Sequence, residues 1–280
     1  MQKYLVINAD DFGLTRAVSD GIMEAFDRRN VSDVSMIANS SAFDHAVSLL
    51  KARNVSSCGI HLCFIDAERP LASDGATPIL DGGRFHGRRG RFLMGYARDV
   101  RASLRFLEKE LSLQIERLLG AGFQVTHADG HQHLHLVPGV SDLVVKLCAR
   151  YRIPFVRIPV GDRFSPVCLA MRVFGRRLER LARRKGVRAI KSFGFKEKGG
   201  LALGDLGSYC RKMAASSEDI FELITHPGYG DEATFRRYSH WNHEWDRELE
   251  TLGVLTEDYW REHGIQRVNF AQLTAASAAS

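Results

Sequence analysis

The stretch Phe123-Gln124-Val125-Thr126-His127-Ala128-Asp129-Gly130-His131-Gln132-His133-Leu134-His135 decides how this chain folds. Its first half, Phe123–Ala128, reads as a short buried strand. Its second half concentrates four of the chain's eleven histidines. An extended backbone alternates its side chains between two faces. His127, Asp129, His131, His133 and His135 would then share one face. Burying such a row without partners costs about 1–3 kcal/mol per group. The row therefore has to converge on a metal, a substrate or itself. Imidazole is the commonest metal ligand and titrates nearest neutrality. The cluster is internal and flanked by Phe123, Val125, Leu134, Leu136 and Val137, which excludes an appended tag.

Outward from this strand the pattern alternates. Lys3–Ala9, Val34–Ile37, Gly59–Phe64, Phe155–Ile158, Phe221–Thr225 and Arg267–Phe270 read as further strands. Helical spacing covers Val18–Arg28, Ala42–Lys51, Ala102–Leu119, Val140–Tyr151, Val167–Lys185, Leu206–Ala215, Glu244–Leu252 and Glu257–Gly264. Strands alternating with helices predict an α/β fold with a parallel sheet covered by helices. Seven or eight units suggest a single barrel over residues 1–273. Residues 66–98, rich in Gly, Pro, Asp and Arg, form a long excursion, and segments of that length are often functional. The low-complexity tail, 274–280, is expected to be disordered. Asp10-Asp11, His61, Asp129–His135 and His226 all fall at or just past the C-terminal ends of strands. Active sites of parallel barrels lie at that end, so four segments predict one pocket.

The 280 residues carry a formal charge of +6, unevenly placed. From Arg163 to Lys198 twelve Lys or Arg face only Glu179 and Glu197, and Arg84, Arg88, Arg89, Arg91, Arg98, Arg101 and Arg105 form a second run. Such runs are usually solvated helix faces, although they also suit anionic ligands. The helix Val167–Lys185 has an expected apolar face of Val167, Ala170, Met171, Phe174, Leu178 and Leu181. Opposite lie Arg172, Arg176, Arg180, Arg183 and Arg184. That combination leaves room for a peripheral membrane contact. Five scattered cysteines without a CxxC pair argue against a zinc knuckle or a disulfide framework. No apolar run approaches a membrane span and the first residues lack a signal-peptide pattern, so a cytoplasmic protein is expected.

The constellation points to hydrolysis. Adjacent carboxylates at a strand end, Asp10 and Asp11, can divide labour between metal and base. One Asp and two His with open positions make a three-ligand hydrolytic site. His226, held extended by Pro227, can protonate a leaving group at the rim. No GxSxG elbow or P-loop is present. A barrel glycosidase or phosphoesterase, or a non-catalytic anionic-surface binding protein, are the alternatives. The first needs paired carboxylates, and the last leaves the Asp/His constellation unexplained.

Asn8-Ala9-Asp10-Asp11-Phe12-Gly13, Gly59-Ile60-His61-Leu62, Thr126–His135 and His226-Pro227-Gly228 together resemble the four signatures of the YdjC-like carbohydrate deacetylases. That family includes chitooligosaccharide deacetylases and hopanoid-associated deacetylases, and the arginines of 66–98 look more like the latter branch. The resemblance runs from about Tyr4 to Leu273. It implies a distorted (β/α) barrel related to polysaccharide deacetylases and removal of an N-acetyl group from an amino sugar. By the same resemblance Asp11, His61 and His131 are metal ligands, Asp10 the general base and His226 the general acid. His127, Asp129, His133 and His135 would support them or touch substrate. Gly130 stands where the family often has Ser. One divalent ion, Zn2+ or Mg2+, is the implied cofactor; its donor set favours zinc. The expected partner is an N-acetylated amino sugar, free or lipid-linked. Nucleic acid is not expected, and a homo-oligomer is left open.

Overall fold

Short apolar runs buried on both faces are what a parallel barrel requires of its strands, and the chain supplies seven that close on themselves. The computed structural model describes residues 2–66, 68–73, 75, 77–161, 165–194 and 201–278. The ends of the basic run (163–164 and 195–198) and the last two residues of the tail lie outside the described residues.

The strands are β1 (Lys3–Phe12), β2 (Asp33–Met36), β3 (Ser57–Leu62), β4 (Leu80–Asp81), β5 (Arg84–Phe85), β6 (Gln124–Gly130), β7 (Phe155–Pro159), β8 (Arg188–Phe193), β9 (Ile220–Thr225) and β10 (Ile265–Arg267). The helices are α1 (Arg16–Asp27), α2 (Phe43–Lys51), α3 (Arg89–Arg98), α4 (Val100–Gly120), α5 (Val140–Arg150), α6 (Pro166–Arg184), α7 (Leu203–Ala215), α8 (Glu232–Tyr238), α9 (Trp245–Gly253), α10 (Glu257–Glu262) and α11 (Phe270–Ala278). The order β1-β2-β3-β6-β7-β8-β9 returns to β1, all pairs parallel, while β10 pairs with the start of β1. Helices between the strands cover the outside, as the expected (β/α) barrel demands.

Five expectations need correction. First, His127–His135 is not one strand. β6 stops at Gly130, and His131–Leu136 forms a 3-10 turn in which Gln132 and His133 adopt left-handed φ of 51° and 57°. Second, β8 was unforeseen, because Arg188 and Lys191 hide its buried residues Ile190, Ser192 and Phe193 inside a basic run. Third, the last strand is Ile265–Arg267, earlier than expected, and Phe270 opens α11. Fourth, the tail is helical to Ala278. Phe270 and Leu273 are buried, and the Thr274 hydroxyl donates to the Phe270 carbonyl at 2.8 Å. Fifth, the 66–98 excursion holds the β4–β5 hairpin and α3, and α8 with the 3-10 turn Ser239–Trp241 was unread.

The basic helix α6 packs on the barrel. Its cap is Ser165, whose Oγ accepts the Cys168 amide at 3.1 Å, with Pro166 at the first helical position. Cys168, Met171, Gly175, Leu178 and Ala182 are buried against β7, β8 and α5, whereas Val167, expected on the apolar face, is exposed with Leu169 and Val173. Among the described residues no helix is long and apolar enough to cross a membrane.

Helix α11 closes the N-terminal mouth of the barrel. The Phe270 ring lies 4.0 Å from the His127 ring and 5.3 Å from that of Phe155, and its amide donates to Asp33 Oδ2 at 2.9 Å. Phe270→Ala is expected to cost about 3–5 kcal/mol, read as a lowered urea midpoint with an unchanged slope.

Candidate functional site

Asp10 and Asp11 are neighbours in β1, and a regular strand would point them to opposite faces. Register between β1 and β2 shifts between Ala9 and Phe12, and Asp11 has a left-handed φ of 63°. This bulge turns the Asp11 carboxylate back toward the barrel mouth. Asp10 points into the barrel, Asp11 upward to the end of β3 and the turn after β6.

Asp11, His61 and His131 converge. Asp11 Oδ1 lies 2.8 Å from His131 Nδ1 and 3.3 Å from His61 Nε2, and the two ring nitrogens are 3.1 Å apart. All three are buried and could hold a metal ion. Tetrahedral ligands about 2.1 Å from an ion are about 3.4 Å apart, so the triangle is slightly contracted. Asp11 Oδ1 has no hydrogen-bond partner despite being buried. The outer nitrogens are occupied: His61 Nδ1 meets Asp129 Oδ1 at 2.5 Å and His131 Nε2 meets Asp66 Oδ2 at 2.9 Å. When these outer nitrogens donate, both rings present lone pairs to the centre, as outer carboxylates do for metal-bound imidazoles. The donor set fits a divalent ion.

Charge explains the protonation of the site's own groups. Burial opposes the charge of His61, but Asp129, Asp10 and Asp11 outweigh it and push the ring up to about 10. Burial also opposes the charge of His131, and Asp11 and Asp66 push that ring up to about 9. Despite its burial, Asp11 is held well below the usual carboxylate range by the two rings.

Below the triangle lies a buried ionic layer. Arg157 of β7 donates through both terminal nitrogens to Asp10, through Nη2 at 2.6 Å to Oδ1 and through Nη1 to Oδ2. Its Nη2 also lies 2.8 Å from Asp129 Oδ2, and Nε and Nη2 donate to Glu222 of β9 at 2.9 and 2.5 Å. Asn8 Nδ2 donates to Asp10 Oδ1 and to Ser35 Oγ, both at 2.8 Å. Ser35 donates to Asp129 Oδ2 at 2.7 Å, so His127 Nε2, 2.9 Å away, must donate to the Ser35 hydroxyl. His127 is neutral: burial drives it down to about 3. Its ring fills the space beside Gly59, where a Cβ would sit 2.2 Å from His127 Nε2.

The remaining histidines separate by role. His135 donates through Nε2 to the Arg157 carbonyl at 3.1 Å, and burial pushes it down to about 4. Gly130 makes room for it, since a Cβ there would meet the His135 ring at 2.9 Å. His133, half-buried, is held well below its usual range by burial, then by Arg157 and His135. Neither belongs to the Asp11 triangle. His226 follows β9 at the rim with a 31% exposed side chain, its Nε2 3.9 Å from Asp10 Oδ2. Glu248 of α9 accepts the His226 amide at 2.7 Å, and His243 Nε2 donates to the His226 carbonyl at 3.0 Å.

Reading the sequence missed several of these groups. Arg157 and Glu222 had a visible signal, a lone charge inside an apolar strand. His240, Trp241 and His243 had one in the aromatic run His240-Trp241-Asn242-His243-Glu244-Trp245. Asp66, in the loop after β3, had none.

The YdjC-like protein family profile matches residues 4–258. The chain belongs to this family. A carbohydrate deacetylase of Brevibacillus brevis is 31% identical over 274 residues, covering 96% of this chain and 99% of the relative. The human carbohydrate deacetylase is 32% identical over 252 residues, covering 80% and 75%. A chitooligosaccharide deacetylase of Klebsiella pneumoniae is 30% identical over 145 residues, covering 51% and 55%. Among solved structures, a protein of Enterococcus faecalis described as a cellobiose-phosphate cleavage protein superposes with a TM-score of 0.81 at 22% identity, covering 98% and 99%, and shares the fold.

In this YdjC-like protein Arg157→Leu would strip Glu222 of its guanidinium partner and leave Asp10 and Asp129 with only the His61 ring as counter-charge. The expected loss is about 3–5 kcal/mol. Carboxylates stranded in this way have folded pKa values above their unfolded ones, so the variant loses stability as pH rises. Its urea midpoint is expected to be higher at pH 5 than at pH 8.

Proposed function

We propose that this chain is a metal-dependent carbohydrate deacetylase that removes the N-acetyl group of an N-acetylated amino sugar and releases acetate. The observation that carries this reading is the buried triangle of Asp11, His61 and His131, flanked by Asp10 below and His226 at the rim. The names of the relatives supply the substrate class. Two imidazole nitrogens and one carboxylate suit zinc better than magnesium, which prefers oxygen ligands. A divalent ion bound there would supply Lewis-acid polarisation of the amide carbonyl and acidify water.

The protein's own groups do the rest. Asp10, oriented by Arg157 and Asn8, accepts the proton of the attacking water. His226, clamped through its backbone by Glu248 and His243, gives a proton to the departing amine. Water and amide thus become acetate and a free amino sugar. Asp129 and Asp66 orient the His61 and His131 rings. The glycosidase alternative needs two carboxylates facing the sugar bond, whereas Asp129 and Glu222 are engaged by Arg157 below the triangle and Asp11 belongs to the triangle itself. All five cysteines are buried thiols, which supports a reducing, cytoplasmic setting.

Acetate release from a panel of N-acetylated sugars, free and lipid-linked, tests the reading. Activity is expected to vanish on chelation and return with zinc, and His61→Ala or His131→Ala is expected to abolish stoichiometric zinc in elemental analysis. Zinc retained in both variants would remove these ligands.

Asp10→Asn is expected to lower turnover by about 10²–10⁴-fold while zinc remains bound. His226→Ala is expected to lower the rate by about 10²–10⁴-fold. A metal-depleted Asp10→Asn protein would make Asp10 a ligand instead.

A further inference from the structure

One buried carboxylate collects four donors. Asp66 Oδ2 accepts from His131 Nε2 at 2.9 Å and Gln132 Nε2 at 2.5 Å. Its Oδ1 accepts from His240 Nε2 at 2.9 Å and Trp241 Nε1 at 3.3 Å. Asp66 reaches these partners from a left-handed backbone conformation, φ 61°. Two donors come from the turn that carries His131. The other two come from the 3-10 turn Ser239–Trp241, which follows α8 on the far side of the mouth. Asp66 therefore fastens a rim segment to the imidazole that faces Asp11.

Trp241 is what that fastening places. Its ring centroid is 4.9 Å from that of His131, 4.5 Å from Tyr238 and 6.1 Å from Trp245. The chain has three tryptophans, and the other two, Trp245 and Trp260, are each 1% exposed. Trp241 alone is partly open, and so is its neighbour His240, with a side chain 26% exposed. An indole ring offers a broad, electron-rich face. A pyranose ring offers a matching apolar face of axial C–H bonds. A sugar packed on Trp241 would lie one ring's width from the Asp11–His61–His131 triangle.

Resting on the deacetylase reading above, we propose that Trp241 is the platform for the sugar ring that bears the acetamido group. Asp66 is the positioning residue that fixes this platform and the His131 imidazole in one frame. Such a coupling makes sugar affinity and ion affinity depend on the same carboxylate. Trp241 itself donates to that carboxylate and packs beside the His131 ring.

The probe is N,N′-diacetylchitobiose, titrated into the full chain without added metal and followed by calorimetry and tryptophan emission. The wild type is expected to show a saturable emission change. Trp241→Ala should lose that change and bind about tenfold more weakly. With zinc restored, its KM should rise by a larger factor than its kcat falls. Trp241→Phe, which keeps a ring, should recover most of the affinity and guards against misfolding of the alanine variant. Asp66→Asn should weaken both sugar and zinc binding, the latter by about 10–100-fold. Trp241→Ala binding the disaccharide as tightly as the wild type overturns the platform, and Asp66→Asn with both affinities unchanged overturns the coupling. A wild type that releases acetate while Trp241→Ala keeps its KM sinks the platform alone. A wild type that neither binds nor deacetylates any N-acetylated sugar sinks the deacetylase reading and the platform with it.

Discussion

A guanidinium inside the barrel is the interaction on which the site depends. Arg157 is 2% exposed and touches Asp10, Asp129 and Glu222, carboxylates contributed by three different strands. Burying one ion costs several kcal/mol even after relaxation, and only close, hydrogen-bonded partners offset it. Here every guanidinium nitrogen has a carboxylate partner, and Ser192 adds a hydroxyl donor to Glu222 at 2.5 Å. The layer fixes Asp10 from below and Asp129 from the side. Asp129 in turn fixes His61. The orientation of a ring that faces Asp11 is thus set by an arginine two residues into β7.

The second constraint is backbone geometry at the end of β1. Two adjacent carboxylates serve different partners because Asp11 leaves the extended region. Left-handed φ values for residues with a Cβ are uncommon and gather at functional sites. Asp11, Asp66, Gln132 and His133 all show it here. Asp11 and Asp66 use it at the barrel mouth to turn a carboxylate toward the His61 and His131 rings. The neutral histidines have a different task. His127 and His135 are kept uncharged by burial, His127 bonded through both ring nitrogens and His135 through Nε2 alone.

Much of this was legible in the residues, and the reasons are specific. Parallel strands are buried on both faces, so Lys3–Ala9 or Phe221–Thr225 stands out as an apolar run. Motifs at the ends of such runs share an address once the sheet is parallel. β8 was hidden because Arg188 and Lys191 interrupt its short apolar run and merge it with the basic residues before it. The 3-10 turn after Gly130 was hidden because period-2 spacing of histidines reads the same whether or not the chain continues straight. Arg157 and Glu222 were visible as charges in apolar strands, yet their partnership joins residues 65 positions apart.

The sequence by itself determined the class of fold, the strand ends that carry chemistry, and the residue types available there, because hydrophobic periodicity and short motifs are local properties. The family resemblance singled out His131 among the clustered histidines, and the tertiary structure decided how it faces Asp11 and that His127 and His135 serve as neutral struts. It also decided that Asp66 and Arg157 are the groups that orient them. Those assignments depend on where strands stop pairing, on one bulge in β1, and on charge balance among residues brought together only when the barrel closes.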